Sequence, residues 1–525
     1  MTQKPFRPFQ YIGQDGPAGL VVFLVALPLC LGIALASTGR PDLIFSGVIA
    51  GIVGGIVVGA LSGSALGVAG PAAGLVTIVL AAIATLGSYE AFLLAVVISG
   101  VIQIIAGFLR AGIIGHYFPS AVIKGMLAAI GLTLILKEIP HILGVDSDHF
   151  GDTAFSQIDG RNTFSEIIIA VQNASLGAVI IGAVSILLLL ALDSKRVKQI
   201  KMLKFVPGAL VVVVAGIAMN EFFVAAAPHL AMTGEHLVQL PVANSVSEFI
   251  GFFRTPDFSA ISNPDVWVVA LTLAVVASLE TLLSVEATDK LDKQKRVTPT
   301  NRELKAQGVG NLLSGLIGGL PVTQVIVRST ANVNAGGMTK MSAILHGVIL
   351  LGAVITIPSL LNRIPLATLA AILLLIGYKL SRVSLYRSMF KHGWDQFTPF
   401  IVTVVAILLT DLLKGIGIGM VIALYFILFR NYRNNYKLKR ETTATGERIT
   451  LTLSEDVTFL NKGSILQTLD NLPNDCTVVI DGSRSEAVDY DVFEVIREFR
   501  EHKAGRRNIT LVTKDLPEMK VVGGH

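Results

Sequence analysis

Long apolar runs recur along this 525-residue chain. Each contains about 15 to 19 residues, and a helix of that length, at 1.5 Å per residue, comes close to spanning a hydrocarbon core of roughly 30 Å. The clearest runs are residues 20–36, 43–61, 91–109, 176–192, 206–224, 266–283, 343–357 and 415–429. Charged residues make up only 15% of the composition, whereas soluble domains carry about 25%. We therefore predict an all-α polytopic membrane protein.

Charged residues fall between these runs and divide by sign. Basic clusters lie at residues 195–204, 290–305, 379–391 and 430–440, and acidic loops lie at residues 146–159 and 235–257. Because cytoplasmic loops are enriched in Lys and Arg, fourteen spans starting from a cytoplasmic N-terminus put every loop on its expected side. Twelve spans fit only if two weak segments are ignored. The basic residues form no single patch, so we expect no nucleic-acid partner.

The pattern changes near Arg440, where the membrane region is expected to end. We predict a cytoplasmic N-terminus (1–15), a transmembrane domain (16–432), a cytoplasmic α/β domain (440–515) and a flexible tail (516–525). In the α/β domain, strand-like runs at 448–453, 477–480 and 508–512 accompany an amphipathic helix-like stretch at 490–499. Cys30 in the first span and Cys476 in the cytoplasmic tail cannot pair, and both are expected to be buried apolar side chains.

Two segments interrupt the apolar pattern, one in each half of the chain. They are GVAGPAAG at residues 67–74 and GGLPVTQVIVRST at residues 318–330. Gly and Pro favour an extended stretch that leads into a half-helix. Unwound backbone at membrane depth is tolerated only inside protein or beside a water-filled cavity. The pair of interruptions therefore predicts a substrate site between two inverted repeats.

The half-helices are expected to begin near residues 69–72 and 327–330. A helix N-terminus carries unpaired N–H groups and about half a positive charge, so two such ends make an anion site. Arg328 adds a full charge, and a cation inside the membrane marks a functional site by default. Its alternative role is a fixed internal ion pair that braces two helices. Ser329 and Thr330 can donate hydroxyl hydrogen bonds, although such hydroxyls more often bond the preceding turn.

A second polar group lies in SLETLLS at residues 278–284. Glu280 and Ser284 are one turn apart and share a helix face. A carboxylate with a hydroxyl can hold Na⁺, and a lone carboxylate can carry a proton. Alternatively, Glu280 merely neutralises Arg328 or Lys124. Thr323, on the extended stretch before the second half-helix, is expected in the same cavity.

Several motifs together resemble the SulP family of anion transporters, which includes bacterial sulfate and bicarbonate carriers. The most specific is NRELKAQGVGNLLSGLIGGLPVT…VRST at residues 301–330, which is similar to the family's ninth and tenth spans. LVALPL at residues 24–29 resembles the first-span motif, and VAGPAAG at residues 68–74 resembles the start of the third-span half-helix. The tail resembles a short STAS domain, with Asp481, Gly482 and Ser483 at the strand-to-helix loop.

This resemblance implies fourteen spans in a seven-plus-seven inverted repeat, divided into core and gate domains, with elevator-like alternating access and a homodimer. The residues implied to border the anion are Ala69, Gly70, Pro71, Ala72, Val327, Arg328 and Ser329. Glu280 and Ser284 match positions where a Na⁺-coupled bicarbonate member has an acidic residue and a hydroxyl. The first span differs from some proton-coupled members because residues 20–36 contain no carboxylate.

We therefore predict a secondary transporter, not an enzyme, in a bacterial-type inner membrane with both termini cytoplasmic. It would carry bicarbonate or sulfate by symport with Na⁺ or H⁺ and need no cofactor. No nucleotide-binding motif appears, which argues against primary active transport. The alternatives are an anion exchanger or channel, and a nucleobase–proton symporter on the same fold. The last usually has a second acidic residue in the tenth span, where this chain has Arg328.

Overall fold

A computed structural model describes residues 9–145, 155, 161–194, 207–243, 245–433, 436–443 and 446–516. Most of the predicted acidic loop at 146–159 lies outside these residues, as do the basic cluster at 195–204 and the tail after Leu516. Contacts divide the chain into two compact units, Met1–Met420 and Val421–His525. Each unit is described by itself.

The first half of the larger unit is helical, with one short strand, β1 (Ala69–Pro71). Its main helices are α1 (Ile12–Thr38), α2 (Pro41–Leu61), α3 (Ala73–Leu86), α4 (Tyr89–Phe108), α5 (Ser120–Leu143), α6 (Thr163–Gln172), α7 (Leu176–Asp193) and α8 (Gly208–Ala226). Gly39 follows α1 and Gly87 follows α3, and both adopt the left-handed conformation that glycine reaches without a Cβ penalty. Ser88 then caps α4 by accepting a hydrogen bond from the Ala91 N–H.

The second half contains the corresponding short strand β2 (Val322–Gln324). Its main helices are α9 (Pro264–Leu291), α10 (Thr300–Leu316), α11 (Ile326–Ala335), α12 (Met341–Thr356), α13 (Leu366–Leu380), α14 (Val383–Lys391), α15 (Trp394–Leu409) and α16 (Leu412–Arg433). Helix α9 begins with Pro264 at its first position, where the missing N–H has no cost, and Asn263 caps it.

Nine helical segments among the described residues are long and apolar enough to cross a membrane. They are α1, α2, α4, α5, α7, α8, α9, the stretch Leu366–Lys391 and the part of α16 up to Arg430. Helices α3, α6, α12 and α15 are apolar but shorter. The predicted polytopic membrane architecture agrees with these segments, whereas the exact number of spans stays a prediction.

The helices pack in two groups. In the first group, α4 lies along α10 and α1 lies along α12; in the second, α5 packs against α13 and α15, and α7 packs against α8 and α13. Glycines permit the closest crossings. A Cβ on Gly308 would lie 2.5 Å from the carbonyl oxygen of Gly100, and a Cβ on Gly377 would lie 2.6 Å from that of Gly131. Small residues therefore bring these backbones together, as membrane helices commonly do.

The glycine stripe on α2 has the same effect. A Cβ on Gly47 would lie 1.9 Å from the carbonyl oxygen of Cys30, and a Cβ on Gly55 would lie 2.7 Å from the Cα of Gly347. The spacing of Gly47, Gly51, Gly55 and Gly59 at every fourth position predicts such contacts. The structure confirms them for the first three, whereas a Cβ on Gly59 would lie 3.4 Å from its nearest neighbour, an ordinary van der Waals contact. Helix α2 is thereby held between α1 and α12.

The smaller unit contains a four-stranded sheet. Its strands are β3 (Tyr436–Thr443), β4 (Gly446–Leu453), β5 (Cys476–Asp481) and β6 (Thr510–Lys514), in that order. β3 pairs antiparallel with β4, and β4, β5 and β6 are parallel. Helices α17 (Lys462–Asp470) and α18 (Tyr490–Glu498) supply the crossovers. Buried aliphatic side chains from strands and helices, among them Ile449, Ile465, Ile480 and Val492, form its core.

The sequence predicts β4, β5, α18 and β6 to within a few residues, but not β3 or α17. β3 begins at Tyr436, before the predicted boundary near Arg440. The strand was missed because its basic residues look like a continuation of the basic region after α16. A charged edge strand protects an open sheet edge against unwanted pairing.

Candidate functional site

The two sequence interruptions pair with each other. β1 and β2 form an antiparallel ladder in which Ala69 lies opposite Gln324, Gly70 opposite Thr323 and Pro71 opposite Val322. All of these residues are buried. The ladder supplies backbone hydrogen-bond partners that the membrane interior lacks. It explains how extended chain is tolerated between the helices.

A half-helix follows each strand, as predicted. The second begins at Ile326, close to the expected position. The first begins with a 3₁₀ turn at Ala73 and becomes α-helical at Val76, so the predicted start near residues 69–72 was a few residues too early. The reason is the ladder, since residues 69–71 use their backbone groups to pair with β2. Neither N-terminus is capped by the side chain of its own N-cap residue, but in the first half-helix the Gly74 N–H donates to the Glu280 carboxylate.

A buried polar stripe on α10 supports the other side of β2. Gln307 donates to the carbonyl of Val322, and Asn311 accepts from the Val322 N–H at 2.6 Å. Ser314 donates to the carbonyl of Leu320 at 2.7 Å. These residues repeat at about one helical turn, so they share one face. Polar side chains on α10 therefore hold β2 in place.

Glu303 belongs to the same stripe and is fully buried. Its carboxylate accepts from the Ser62 hydroxyl at 2.5 Å and from the Gln324 amide at 2.6 Å. The carboxylate thus ties the loop after α2 to the end of β2. Its hydrogen bonds make Glu303 a positioning residue for the second half-helix.

Arg328, in the first turn of α11, is fully buried. Nη2 donates to the Cys30 thiol sulfur at 3.3 Å, while Nε and Nη1 have no hydrogen-bond partner among the residues that the structure describes. Within the same residues, no carboxylate lies within ion-pair distance of the guanidinium. A Cβ on Gly70 would lie 1.9 Å from Nη1. The guanidinium therefore rests against the backbone of β1, and the ion pair that was the alternative role of Arg328 is not found among the described residues.

Glu280, on α9, is also buried, with 7% of its surface exposed. The Gly74 N–H donates to its carboxylate, and Oε2 has no partner within the described ranges. A Cβ on Gly74 would lie 2.9 Å from Oε1, so only glycine fits there without displacement. No ion pair joins Glu280 to Arg328 or Lys124 in the described part of the chain. A buried carboxylate oxygen without a donor is the kind of group that a cation or a proton satisfies.

A cavity of about 60 Å³ lies where the half-helices begin. Its first wall is formed by Ala73, Gly74, Val325, Ile326 and Val327 together with Glu280, Leu283 and Ser284 of α9. Its second wall is formed by Met126, Ile130, Thr133, Ile407, Leu412, Leu413 and Ile416. One water needs about 10–15 Å³ on this measure, so the space holds a few waters or one small ion.

The structure brings some of the predicted site residues to this cavity and places others behind it. Glu280, Ser284 and Val327 line the cavity. Ala69, Gly70, Pro71, Ala72 and Thr323 are buried in or beside the strand ladder, and Arg328 is buried behind the first wall. The Ser329 hydroxyl accepts from the Val68 N–H and donates to the Val325 carbonyl, so it is occupied in holding the half-helix.

Sequence reasoning did not identify Thr133, the Gly74 contact or the Cys30 contact. Thr133 lies in an apolar stretch of α5 without any motif, so nothing in its neighbourhood indicates that it faces the cavity. Gly74 belongs to the recognised interruption, but its partner is more than 200 residues away. Cys30 was expected to be an inert buried side chain.

The sequence model of the sulfate permease family matches residues 12–424, and this range contains every cavity-lining residue. The chain belongs to the sulfate permease family. It is therefore a multi-pass membrane protein of a transporter family, in agreement with the predictions that it resembles SulP proteins and is not an enzyme. Membership also favours the anion hypothesis over the nucleobase alternative.

Two relatives align with most of this chain. YvdB of Bacillus subtilis, a predicted sulfate transporter, is 27% identical over 430 residues, which are 80% of this chain and 74% of YvdB. The bicarbonate transporter BicA of Picosynechococcus is 26% identical over 456 residues, which are 85% of this chain and 75% of BicA.

Two solved structures share the fold. The transmembrane domain of a cyanobacterial BicA gives a TM-score of 0.54 at 22% identity and covers 78% of this chain and 98% of that domain. The murine anion transporter Slc26a9, in an inward-facing state, gives a TM-score of 0.66 at 15% identity and covers 98% of this chain and 87% of Slc26a9.

Proposed function

We propose that this protein is a cation-coupled symporter of a small inorganic oxyanion, bicarbonate or sulfate. The observation that carries the proposal is the pair of unsatisfied buried groups around one cavity. Arg328 has two nitrogen atoms without partners, and Glu280 has one oxygen atom without a partner, in the part of the chain that is described. A cation bound in the cavity satisfies the Glu280 oxygen, and the uncompensated charge of Arg328, which lies behind the first wall, attracts an anion to the same space.

The anion is attracted by three features. The N-termini of α3 and α11 both lie at the cavity, and each adds a partial positive charge, although the Gly74 N–H of α3 already donates to Glu280. Arg328 lies in the first turn of α11 and raises the electrostatic potential from behind the wall. Val327 and the 3₁₀ turn at Ala73 form the surface that the anion contacts.

The coupling cation binds at Glu280. Ser284 lies one turn further along α9 and lines the same cavity, so a carboxylate and a hydroxyl oxygen face one space. Oxygen ligands of this kind suit Na⁺, and a buried carboxylate also accepts a proton. A cation at Glu280 cancels the negative charge that would otherwise repel the anion.

The helix order supports an inverted repeat of seven plus seven spans. The first set is α1, α2, α3, α4, α5, α7 and α8, and the second is α9, α10, α11, α12, α13, α15 and α16. In each set the third helix is the half-helix that follows the short strand. This reading treats α6 and α14 as helices that do not cross the membrane.

Alternating access of the elevator type follows from the packing. The half-helices, α9 and the α10 stripe belong to the first helix group and act as the core, while α5, α7, α8, α13, α15 and the start of α16 act as the gate. The cavity lies between them, with charge on the core side and aliphatic side chains on the gate side. Because the gate surface is apolar, the core can move along it without breaking hydrogen bonds between core and gate.

The remaining parts of the proposal rest on the family resemblance. They are a homodimer in the plasma membrane, both termini in the cytoplasm, and a STAS-like C-terminal domain. The order of strands and helices in the smaller unit supports the last of these.

The test measures uptake of labelled bicarbonate and sulfate into proteoliposomes under imposed Na⁺ or H⁺ gradients. We expect one gradient to stimulate uptake by the wild type and to have no effect on Glu280→Gln. Glu286→Gln is the matched control, because Glu286 is on the same helix but does not line the cavity. Its Oε1 forms an ion pair with Lys290 Nζ at 3.3 Å.

If Glu286→Gln keeps the stimulation and Glu280→Gln loses it, symport through Glu280 is established. Uptake by the wild type that ignores both gradients would contradict symport. It would favour the exchanger or channel alternative and reduce Glu280 to a structural residue.

A further inference from the structure

Helix α14 (Val383–Lys391) is separated from the helices on either side of it. Ser381 and Arg382 leave the helical conformation between α13 and α14. Gly393, with a φ of 94° that favours glycine, separates α14 from α15. The nine residues between these breaks form a helix about 14 Å long, which is too short to cross a hydrocarbon core. Because α13 and α15 are spans in the proposed function, their connector lies at the membrane surface.

One face of α14 is fixed against the protein. Met389 is buried, and the Tyr386 hydroxyl lies 2.8 Å from the Ser381 hydroxyl. The ring of Tyr386 also packs edge-to-face on Phe400 of α15, with ring centroids 5.2 Å apart. These contacts fix the rotation of the helix about its axis, so the residues on its opposite face point away from the protein.

The opposite face of α14 combines apolar and basic side chains. Val383, Arg387 and Lys391 follow one another at every fourth position, and Phe390 lies beside the last two. All four are exposed, Val383 by 66% and Phe390 by 56%. Large apolar side chains beside cations on an exposed helix face are typical of a helix that lies in the interfacial region of a bilayer.

Aromatic side chains on the neighbouring helices lie close to the same surface. Tyr378, near the end of α13, and Trp394, at the start of α15, are 58% and 68% exposed. Trp394 packs on Phe390 with ring centroids 5.7 Å apart, which joins it to the exposed face of α14. Trp and Tyr are enriched where a membrane protein passes the lipid headgroups. We call the exposed set the α14 face, which consists of Val383, Arg387, Phe390, Lys391 and Trp394.

The charge of this region is positive. Residues 382–395 contain three cations and one carboxylate, that of Asp395, so their net charge is +2 with histidine neutral. None of the three cations forms an ion pair with a carboxylate in the part of the chain that the structure describes. The adjacent pair of Lys379 and Asp193, 3.2 Å apart, adds no net charge. The α14 face therefore complements an anionic surface.

We propose that the α14 face binds the headgroups of anionic lipids in the cytoplasmic leaflet and thereby anchors the gate. The inference rests on the fourteen-span arrangement of the proposed function, which puts the end of α13 at the cytoplasmic surface, and not on the substrate or the coupling ion. The cations bind lipid phosphates, and the apolar side chains beside them enter the acyl region. Because α14 joins two gate helices, the bound lipid holds the gate in place while the core moves.

The experiment uses the two tryptophans of the chain, Trp267 and Trp394. Trp267→Phe leaves Trp394 as a single fluorescent reporter in the α14 face. The full-length protein is reconstituted in bilayers of phosphatidylcholine and phosphatidylglycerol, one of which carries brominated acyl chains that quench tryptophan fluorescence. Quenching over a range of mixtures gives the relative affinity of the two lipids beside Trp394. The measurement needs no anion and no cation gradient, so it can fail while the proposed symport stands, and the reverse.

Two double variants of the Trp267→Phe protein make the measurement specific. Arg387→Gln with Lys391→Gln leaves residues 382–395 with no net charge. Arg254→Gln with Arg363→Gln is the matched control, because both of these cations are exposed and lie in the loops before α9 and α13, at the opposite surface in the same arrangement.

We expect phosphatidylglycerol to be preferred beside Trp394 by about fivefold to thirtyfold, since one Lys or Arg near an anionic surface is worth about fivefold in affinity and two are worth about thirtyfold. The preference should fall to about one in Arg387→Gln with Lys391→Gln and stay unchanged in the control. High salt should weaken it.

Equal quenching by the two lipids in the Trp267→Phe protein would overturn the inference. A preference that survives the loss of Arg387 and Lys391, or that the control loses equally, would overturn the role of the α14 face. Trp394 fluorescence that neither lipid quenches would show that protein covers this face, and it would overturn the inference as well.

Discussion

Gly70→Ala tests whether the position of the Arg328 guanidinium matters for transport. The added Cβ would lie 1.9 Å from Nη1, which is about 1.5 Å inside ordinary van der Waals contact. Arg328 is fully buried, and Gly70 is paired with Thr323, so neither can move aside freely. We expect a loss of about 1–3 kcal/mol in stability, which is typical of an overpacked interior.

The effect on transport should be larger than the effect on stability. A displacement of about 1 Å in a positioning group can cost about a hundredfold in rate. Because the clash pushes the guanidinium away from β1, we expect anion uptake in proteoliposomes to fall by roughly tenfold to a hundredfold. Thermal unfolding in detergent measures the stability of the same preparation.

Two further variants make the result specific. Gly352→Ala adds the same methyl group on α12, where no atom lies within 4 Å, and should behave as the wild type. Adding Arg328→Lys to Gly70→Ala removes Nη1 and should restore stability without restoring uptake. Wild-type uptake by a folded Gly70→Ala protein would refute the proposed role of the guanidinium position.

Three other predictions concern separate parts of the chain. Arg328→Ala should lower anion affinity, and unchanged binding by the purified variant would remove its proposed role. Asp15→Ala should destabilise the protein by about 1–3 kcal/mol, because the buried Asp15 carboxylate accepts three hydrogen bonds from Met338 and Thr339. Thermal unfolding measures the change, and a Tm equal to that of the wild type would show that this contact is dispensable. Ile480→Ala should cost the smaller unit about 2–5 kcal/mol, whereas Val512→Ala, on a side chain that is 44% exposed, should cost much less; equal costs would contradict the core assignment.

Hydropathy predicts the helices whose lipid-facing residues are apolar. The run at residues 176–192 corresponds to α7, and the run at residues 206–224 corresponds to α8. It fails for α10, because the polar residues Gln307 and Asn311 face inward and bond to β2. Only the resemblance to a family motif indicates a span there.

The candidate site could be predicted in outline but not in detail. Gly and Pro in the two interruptions predict the half-helices from local chemistry alone. Which side chains face the cavity depends on contacts far apart in the chain. Val327 lines the cavity and Arg328 does not, because the guanidinium is directed toward Gly70 and Cys30. Thr133 faces the cavity because of how α5 packs, and no local pattern contains that information.

The ladder between β1 and β2 also has a consequence for biogenesis. Gly70 pairs with Thr323, so the first interruption enters the bilayer about 250 residues before its partner has been made. At roughly 5–20 residues per second, that interval lasts on the order of 12 to 50 s. During this time the unpaired backbone of residues 69–71 would be costly in lipid. Until the second half has been made and β2 can pair with β1, the insertion machinery must therefore shield the first half from lipid, or the first half must stay near the membrane surface.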